Sequence, residues 1–261
     1  MRDIIKACYL LVFIFTGSFA IAQSKIFTNT NAHSHNDYLN NQPFHRAYKN
    51  GFGSIEVDIF PVDGILCVAH SKNEIQPRLT LKSLYFDPLL AALKADKTHP
   101  IKLLVDIKEN HELSLELLIG EIEPLQPYLS TQTETKQVTI LISGKRPQPS
   151  QYKNYPGYIF FDDDLKLAHT ALEWERVGQV SLQFTKYSAW KGESSIETKD
   201  KKLLKRVIDS IHRAGKTIRF WAAPDNKASW LLQMKLGVDL IGTDKIDELA
   251  DFLRRRPKRN S

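Results

Sequence analysis

Eight short β-rich runs, most of them separated by stretches of helical periodicity, constrain this chain more than any other feature. The runs are 27–32, Gly53–Ile59, Ile101–Ile107, Val138–Ile142, Tyr158–Phe161, Val180–Phe184, Thr217–Ala222 and Asp239–Gly242. Several, such as 102–107 and 138–142, are near-continuous apolar runs rather than alternating ones. Continuous runs suit strands covered on both faces, as in parallel sheets. Between the runs, 84–95 spaces Leu89, Leu90 and Leu93 helically, and 113–122 does so with Leu113, Leu117 and Leu118. The stretch 201–214 carries Leu203, Leu204, Val207, Ile208 and Ile211 and stops at Gly215. Helical patterns at 229–236 and 246–255 follow. This alternation predicts an α/β fold, a closed (β/α)8 TIM barrel, with a doubly wound open sheet as the alternative before motifs are weighed. Ser130–Lys136 and Lys145–Asn154, rich in Pro and Gln, read as surface loops, with no domain boundary and no internal repeat.

The composition, 42% hydrophobic and 25% charged over 261 residues, excludes disordered and collagen-like classes. At the start, Arg2 and Lys6 precede an apolar run from Ala7 to Phe15, and Ala20-Ile21-Ala22 gives a small-x-small pattern. That reads as a secretory signal peptide over 1–22, with an uncleaved membrane anchor as the rival reading. It implies a secreted or periplasmic protein, a barrel domain over 23–253 and a basic tail over 254–261. Cys8 leaves with such a leader, so Cys67 stands alone and no intramolecular disulfide forms. The net charge of +6 becomes +5 without the leader, and the tail's Arg254, Arg255, Arg256, Lys258 and Arg259 account for all of it. A neutral body disfavours a nucleic-acid-binding surface. The tail is suited to weak contact with an anionic membrane, or is a solvated terminus. Oligomeric state is open.

In a barrel of this class the active site lies at the C-terminal ends of the strands. Four places there are chemically loaded. They are His33-Ser34-His35-Asn36-Asp37-Tyr38 after the first strand, Glu56-Val57-Asp58 on the second, His70 after Leu66–Ala69, and Asp106-Ile107-Lys108 on the third. Residues i and i+2 of a strand point the same way, so Glu56 and Asp58 both face the barrel axis. Two such carboxylates repel and lose hydration unless a cation lies between them. With Asp106 and the Asn36 amide they make a ligand set for a hard divalent cation, magnesium or calcium. Imidazoles beside a metal suit acid–base work near neutral pH, and together the groups suggest phosphoryl chemistry. Taken singly, each feature has a plainer reading. An isolated Glu-x-Asp is weak, a lone His70 is more often structural, and Asp106-x-Lys108 reads equally as a buried salt bridge.

The ordered set resembles the PI-PLC-like phosphodiesterase superfamily, which includes phospholipases C, glycerophosphodiester phosphodiesterases and sphingomyelinase D. The series His35, Glu56-Val57-Asp58 and His70 is similar to its pattern. His35-Asn36-Asp37-Tyr38 resembles the His-Asn-Thr-Tyr of eukaryotic phospholipases C, in which the Asn is a metal ligand. Within the superfamily the chain looks most like altered-inheritance-of-mitochondria-type proteins. It shares Ser34–Tyr38, Gly51-Phe52, Leu84-Tyr85-x-Asp87-Pro88-Leu89, Arg219-Phe220-Trp221-Ala222-x-Pro224, Gly237-Val238-Asp239 and Thr243-Asp244 with them, over about residues 30–250. The resemblance implies metal ligands Glu56, Asp58, Asp106 and Asn36. It implies His35 and His70 as catalytic base or nucleophile and acid, Lys108 at the phosphate, and Trp221 at the substrate pocket or closing the core. His33 competes with His35 for the first catalytic place. The count to Glu56 and the following Asn favour His35, leaving His33 beside the phosphate or behind the site. The chain lacks the Arg of the glycerophosphodiesterase His-Arg-Gly, and the small glycerol-binding insertion of those enzymes is not evident.

The expected function is a metal-dependent phosphoric diester hydrolase acting on a small phosphodiester or phospholipid headgroup. Either water or a neighbouring substrate hydroxyl attacks, the latter giving a cyclic phosphate. The alternatives are a non-catalytic barrel binding a phosphorylated or sugar-like ligand, and an interaction protein held to a surface by its tail.

Overall fold

The computed structural model describes residues 25–95 and 99–255. The leader over 1–22 and most of the basic tail lie outside these residues. Nine strands form one sheet: β1 (Ala32–Ser34), β2 (Ser54–Val62), β3 (Ile65–Val68), β4 (Ile101–Ile107), β5 (Val138–Gly144), β6 (Ile159–Asp163), β7 (Val177–Gln183), β8 (Ile218–Trp221) and β9 (Leu240–Thr243). Running β2-β4-β5-β6-β7-β8-β9-β1, neighbours are all parallel, and β1 pairs with both β9 and β2. The sheet is therefore a closed barrel of eight parallel strands. The ninth strand, β3, is an antiparallel hairpin partner of β2 outside that ring.

Helices α1 (His45–Lys49), α2 (Asp87–Lys94), α3 (His111–Glu121), α4 (Ala171–Glu175), α5 (Thr198–Arg213), α6 (Lys227–Leu236) and α7 (Ile246–Arg254) fill most of the connections. Local chemistry sets their limits. Asn226 caps α6 by accepting from the Ser229 amide at 3.0 Å, and Gly237 ends it at φ 91°, where a side chain would be strained. On α5, Leu204, Ile208 and Ile211 are buried while the lysines face solvent. The strands' outward residues meet these helices: Val57, Ile59, Leu103, Val105, Ile140 and Ile142 are all buried in one apolar cluster. Each such side chain contributes roughly 1.5–3 kcal/mol by leaving water.

The inward parity carries the chemistry. Ser54, Glu56 and Asp58 lie in register with Lys102, Leu104 and Asp106, and Asp106 continues in register to Ser143 on β5. Further round, Ser181 on β7 is in register with Arg219 on β8. A polar ring thus lines the C-terminal end of the barrel.

Several expectations need correction. The first strand is Ala32–Ser34, not 27–32, because Thr28 caps a single turn at Asn29–Asn31 and so breaks the extended run. The run before His70 is a strand, β3, turned back by Asp63-Gly64, where Gly64 adopts φ 79°. The seventh strand starts at Val177, three residues early. Lys145–Asn154 is not simply a surface loop: Pro149 and Tyr152 are buried, and Tyr152 stacks on Phe161 with centroids 3.7 Å apart. On α3 the core residues are Leu115 and Leu118, while Leu113 faces solvent. Short α1 and α4 carry too few turns to show a period.

Candidate active site

The C-terminal mouth of the barrel is a cavity of about 370 Å³, lined by His35, Asn36, Glu56, Asp58, His70, Asp106, Lys108, Ser143, Asp162, Arg219 and Trp221 among others. A smaller cavity of about 130 Å³ adjoins it at His35, Trp221 and Asp244. The structure therefore gathers all but one of the sequence-derived site residues at one mouth. The exception is His33.

His33 points into the barrel and is completely buried. Its Nδ1 lies 2.8 Å from Ser54 Oγ and its Nε2 2.8 Å from Glu56 Oε2, with the Arg219 guanidinium also against Nε2. Burial, then the Arg219 charge, pull its pKa down to about 4 against the opposing effect of Glu56, so the ring is neutral at pH 7. His33 buttresses Glu56 from behind. The expectation that it touches phosphate is corrected on this ground, because the strand aims it at the packed interior.

His35, the next residue of like parity, sits at the rim with its side chain 39% exposed. Its Nδ1 is 2.8 Å from Asp244 Oδ1, which follows β9. Nδ1–H donates to that carboxylate and leaves Nε2 with its lone pair. Burial alone would lower this pKa, but the Asp244 hydrogen bond and the charges of Glu56 and Asp244 outweigh it and raise it. Asp244 in turn is fixed by Asp225, whose Oδ2 accepts from the Asp244 amide at 3.0 Å while its Oδ1 accepts from Thr243 Oγ1 at 2.8 Å.

His70 comes back to the mouth because β3 reverses the chain. Its Nδ1 is 3.0 Å from Tyr38 Oη, and Tyr38 donates to Asp58 Oδ2 at 2.7 Å. With that phenolic proton committed, Oη accepts from His70 Nδ1–H and again Nε2 is left free. Each imidazole is therefore tied at Nδ1 to a carboxylate, His35 directly and His70 through a tyrosine. Asn36, between them, adopts φ 46°, a conformation that Asn tolerates.

The carboxylates form a separate group. One oxygen from each of Glu56, Asp58 and Asp106 lies within 4.8 Å of the others. Burial would raise Glu56, but Arg219, 2.6 Å away, and His33 hold it well below the usual carboxylate range. Burial raises Asp58 in spite of hydrogen bonds from Lys108 and Tyr38. Burial pushes Asp106 up to about 6; the Lys108 charge opposes this, and the charges of Asp58 and Glu56 add to it. Lys108 Nζ spans the pair, 2.8 Å from Asp58 and 3.2 Å from Asp106. Asp58 Oδ1 is buried with no hydrogen-bond partner. An orphaned carboxylate oxygen inside a three-carboxylate cluster fits a hard divalent cation. The residues that would hold it are Glu56, Asp58 and Asp106, with the Asn36 amide beside them.

Arg219, Asp244, Tyr38 and Asp162 are site residues given no role in the strand-end survey, where Tyr38 alone of the four appeared. The first three stood within motifs quoted for the resemblance. Arg219 supplies the cation at Glu56 from β8, where the chain lacks an Arg beside its first histidines. Asp162 carried only the signal of an acidic residue ending an apolar strand. Trp221, 43% exposed, flanks the mouth and does not close the core.

Residues 23–101 match the AIM6-like phosphodiesterase domain. The chain is 24% identical to the altered inheritance of mitochondria protein 6 homolog of Arthroderma benhamiae, over 84% of this chain and 82% of the relative. It is 25% identical to altered inheritance of mitochondria protein 6 of Lachancea thermotolerans, over 87% and 67%. In fold it is similar to a glycerophosphodiester phosphodiesterase of Parabacteroides distasonis, with a TM-score of 0.55, 18% identity, and coverage of 87% of this chain and 98% of that one. A putative glycerophosphoryl diester phosphodiesterase of Agrobacterium tumefaciens gives 0.51 and 14%, over 86% and 98%. At such identities these two structures speak for the fold alone. The curated relatives are named for the inheritance of mitochondria, a matter internal to the cell. That corrects the secreted or periplasmic location read from the leader pattern.

Proposed function

We propose that this chain, which matches an AIM6-like phosphodiesterase domain over residues 23–101 and shares its fold with glycerophosphodiester phosphodiesterases, cleaves phosphoric diesters at the mouth of its barrel. The observation that carries this reading is the pair of imidazoles, each tied at Nδ1 to a carboxylate, on the same cavity as the three-carboxylate cluster.

A divalent cation, magnesium or calcium, held by Glu56, Asp58 and Asp106 with Asn36, would draw negative charge off the phosphate. The chain's own groups do the rest. His35 Nε2 takes the proton from the attacking hydroxyl, and Asp244 stabilises the imidazolium that results. His70 returns a proton to the leaving alkoxide through its own Nε2. The Tyr38–Asp58 link keeps that ring in one orientation. Lys108 and Arg219 place positive charge beside the phosphate's seat. The same groups serve attack by water or by a neighbouring substrate hydroxyl. The substrate class is a small phosphodiester or a phospholipid headgroup.

The test is turnover of bis(p-nitrophenyl) phosphate by the full chain, first with EDTA and then with magnesium or calcium restored. Turnover that disappears with chelator and returns with one ion supports the reading and names the ion. No turnover with either ion, together with no ion binding by calorimetry, overturns it and leaves the carboxylates as structural.

A further inference from the structure

Two motifs singled out in the sequence, Ser34–Tyr38 and Leu84–Leu89, meet at a carboxylate that the mechanism does not use. Asp37 is fully buried and lines neither cavity of the mouth. Its Oδ1 accepts from Ser34 Oγ, on β1, at 2.7 Å. Its Oδ2 accepts from the Phe44 amide at 2.5 Å and from Tyr85 Oη at 3.1 Å. A buried carboxylate is costly unless its oxygens are satisfied, and here three donors from three segments converge on it. Two of these donors stand on unusual backbone. Phe44 is held at φ 62° and ψ −57°, a strained conformation for an aromatic residue, with its ring stacked on Tyr48 at 4.7 Å. Such strain persists only where the surroundings over-determine it. Tyr85 lies in a π-helical turn, Lys82–Phe86, a geometry frequent at functional sites.

This clamp holds the loop that follows His35. Asp37–Leu39 form a single 3-10 turn, too short to stiffen itself. Its middle residue is Tyr38, whose Oη lies 2.7 Å from Asp58 Oδ2, 3.0 Å from His70 Nδ1 and 3.1 Å from Asn36 Oδ1. A small shift of the turn breaks all three contacts at once. Closure of the barrel does not depend on the clamp, since β1 pairs with β2 and β9 through the main chain. We propose that Asp37 is a positioning residue for the reaction: its three hydrogen bonds fix the turn so that the Tyr38 hydroxyl meets His70 and Asp58. This rests on the phosphodiesterase reading above. Asp37 stands outside the mouth and acts through Tyr38, while the imidazoles move the protons.

The test is a double-mutant cycle on kcat of the full chain with bis(p-nitrophenyl) phosphate and the activating ion. It is run at a temperature where circular dichroism shows every variant folded. Asp37→Ala is expected to lower kcat by about 10²-fold, the effect of misplacing a catalytic group by roughly 1 Å. Tyr38→Phe removes what Asp37 positions, so in that background Asp37→Ala should cost less than about threefold. Asp37→Asn should keep most of the activity. Its oxygen still accepts from Phe44 and Tyr85, and Ser34 Oγ can turn to accept from its amide. A folded Asp37→Ala chain with wild-type kcat overturns the proposal, and so does a loss that multiplies in full with that of Tyr38→Phe. If Asp37→Ala does not fold, Tyr85→Phe takes its place, because it deletes one donor and keeps the ring. A loss of about threefold to tenfold that vanishes beside Tyr38→Phe is then expected, and wild-type kcat overturns the proposal. If the wild type turns over nothing, the phosphodiesterase reading has failed, and NMR of histidine labelled at its ring nitrogens judges the clamp instead. His70 should carry its proton on Nδ1 in the wild type and show mixed tautomers in Asp37→Ala, or in Tyr85→Phe. Identical spectra reject the positioning role.

Discussion

His35 Nδ1 lies 2.8 Å from Asp244 Oδ1, a contact that ties the end of the first barrel strand to the end of the last. Closure of the barrel creates this pair, because β1 and β9 are register partners and the His35 amide donates to the Thr243 carbonyl at 3.0 Å. Asp244→Asn keeps the shape and removes the charge. Turnover of bis(p-nitrophenyl) phosphate is expected to fall by about 10²–10⁴. The limb of the rate–pH profile set by His35 moves to lower pH, because Asp244 is part of what raises that pKa. A profile and rate equal to wild type would remove Asp244 from the mechanism.

His33 and His35 separate by what their loss does. His33→Ala takes a buried partner from both Ser54 and Glu56. The expected loss is about 1–3 kcal/mol in urea unfolding, with a lower midpoint. His35→Ala removes a rim side chain whose ion pair is partly solvated, so its stability cost is below about 1 kcal/mol while turnover is abolished. The reverse pattern, a stable inactive His33 variant and an unstable active His35 variant, would exchange the two roles.

The barrel was legible because its strands read as continuous apolar runs, and the carboxylates because parity along β2 needs no tertiary knowledge. The place of His70 was legible only as a residue. That β3 returns it to the mouth depends on a two-residue reversal at Asp63-Gly64, which resembles any other turn in sequence. His33 against His35 was not decidable by type, since both follow the same short run. The decision comes from height along a three-residue strand, with His33 inside it and His35 just past its end, and that strand's position was itself misplaced by a capped turn at Asn29–Asn31. Asp244 and Arg219 are more than 160 residues from their partners, so only closure of the ring joins them.

Asp162 leaves a trace in stability. Burial is the main cause that pushes its carboxyl up to about 6, with Arg219 opposing. Between about pH 4 and pH 6 the folded protein therefore holds a proton that the unfolded chain has lost, and this group's contribution makes stability fall as pH rises through that window. Asp162→Asn removes the penalty. Its unfolding free energy should exceed wild type by about 1–3 kcal/mol at pH 7, with the difference closing below about pH 4. Equal stability at both pH values would place this carboxylate in a well-solvated setting and weaken the case for its burial.

Gly144 links backbone conformation to the metal site. It adopts φ 70°, and a Cβ there would overlap Asp106 Oδ1 and the Ile107 carbonyl. A Gly144→Ala chain must either shift β5 or push Asp106 out of the carboxylate cluster. In the wild type, magnesium or calcium at about 100 times its Kd should stabilise by ~2.7 kcal/mol, or roughly 5–10 °C in Tm for a chain of this size. Asp58→Asn removes one ligand charge and the orphaned oxygen's demand for a cation, so most of that rise should disappear. Gly144→Ala should do the same without replacing any ligand, and should also lower Tm in EDTA through backbone strain. Thermal unfolding of the three proteins with EDTA and with each ion reads both effects together. A full metal-induced rise in Gly144→Ala would mean that β5 gives way and Asp106 keeps its place in the carboxylate cluster.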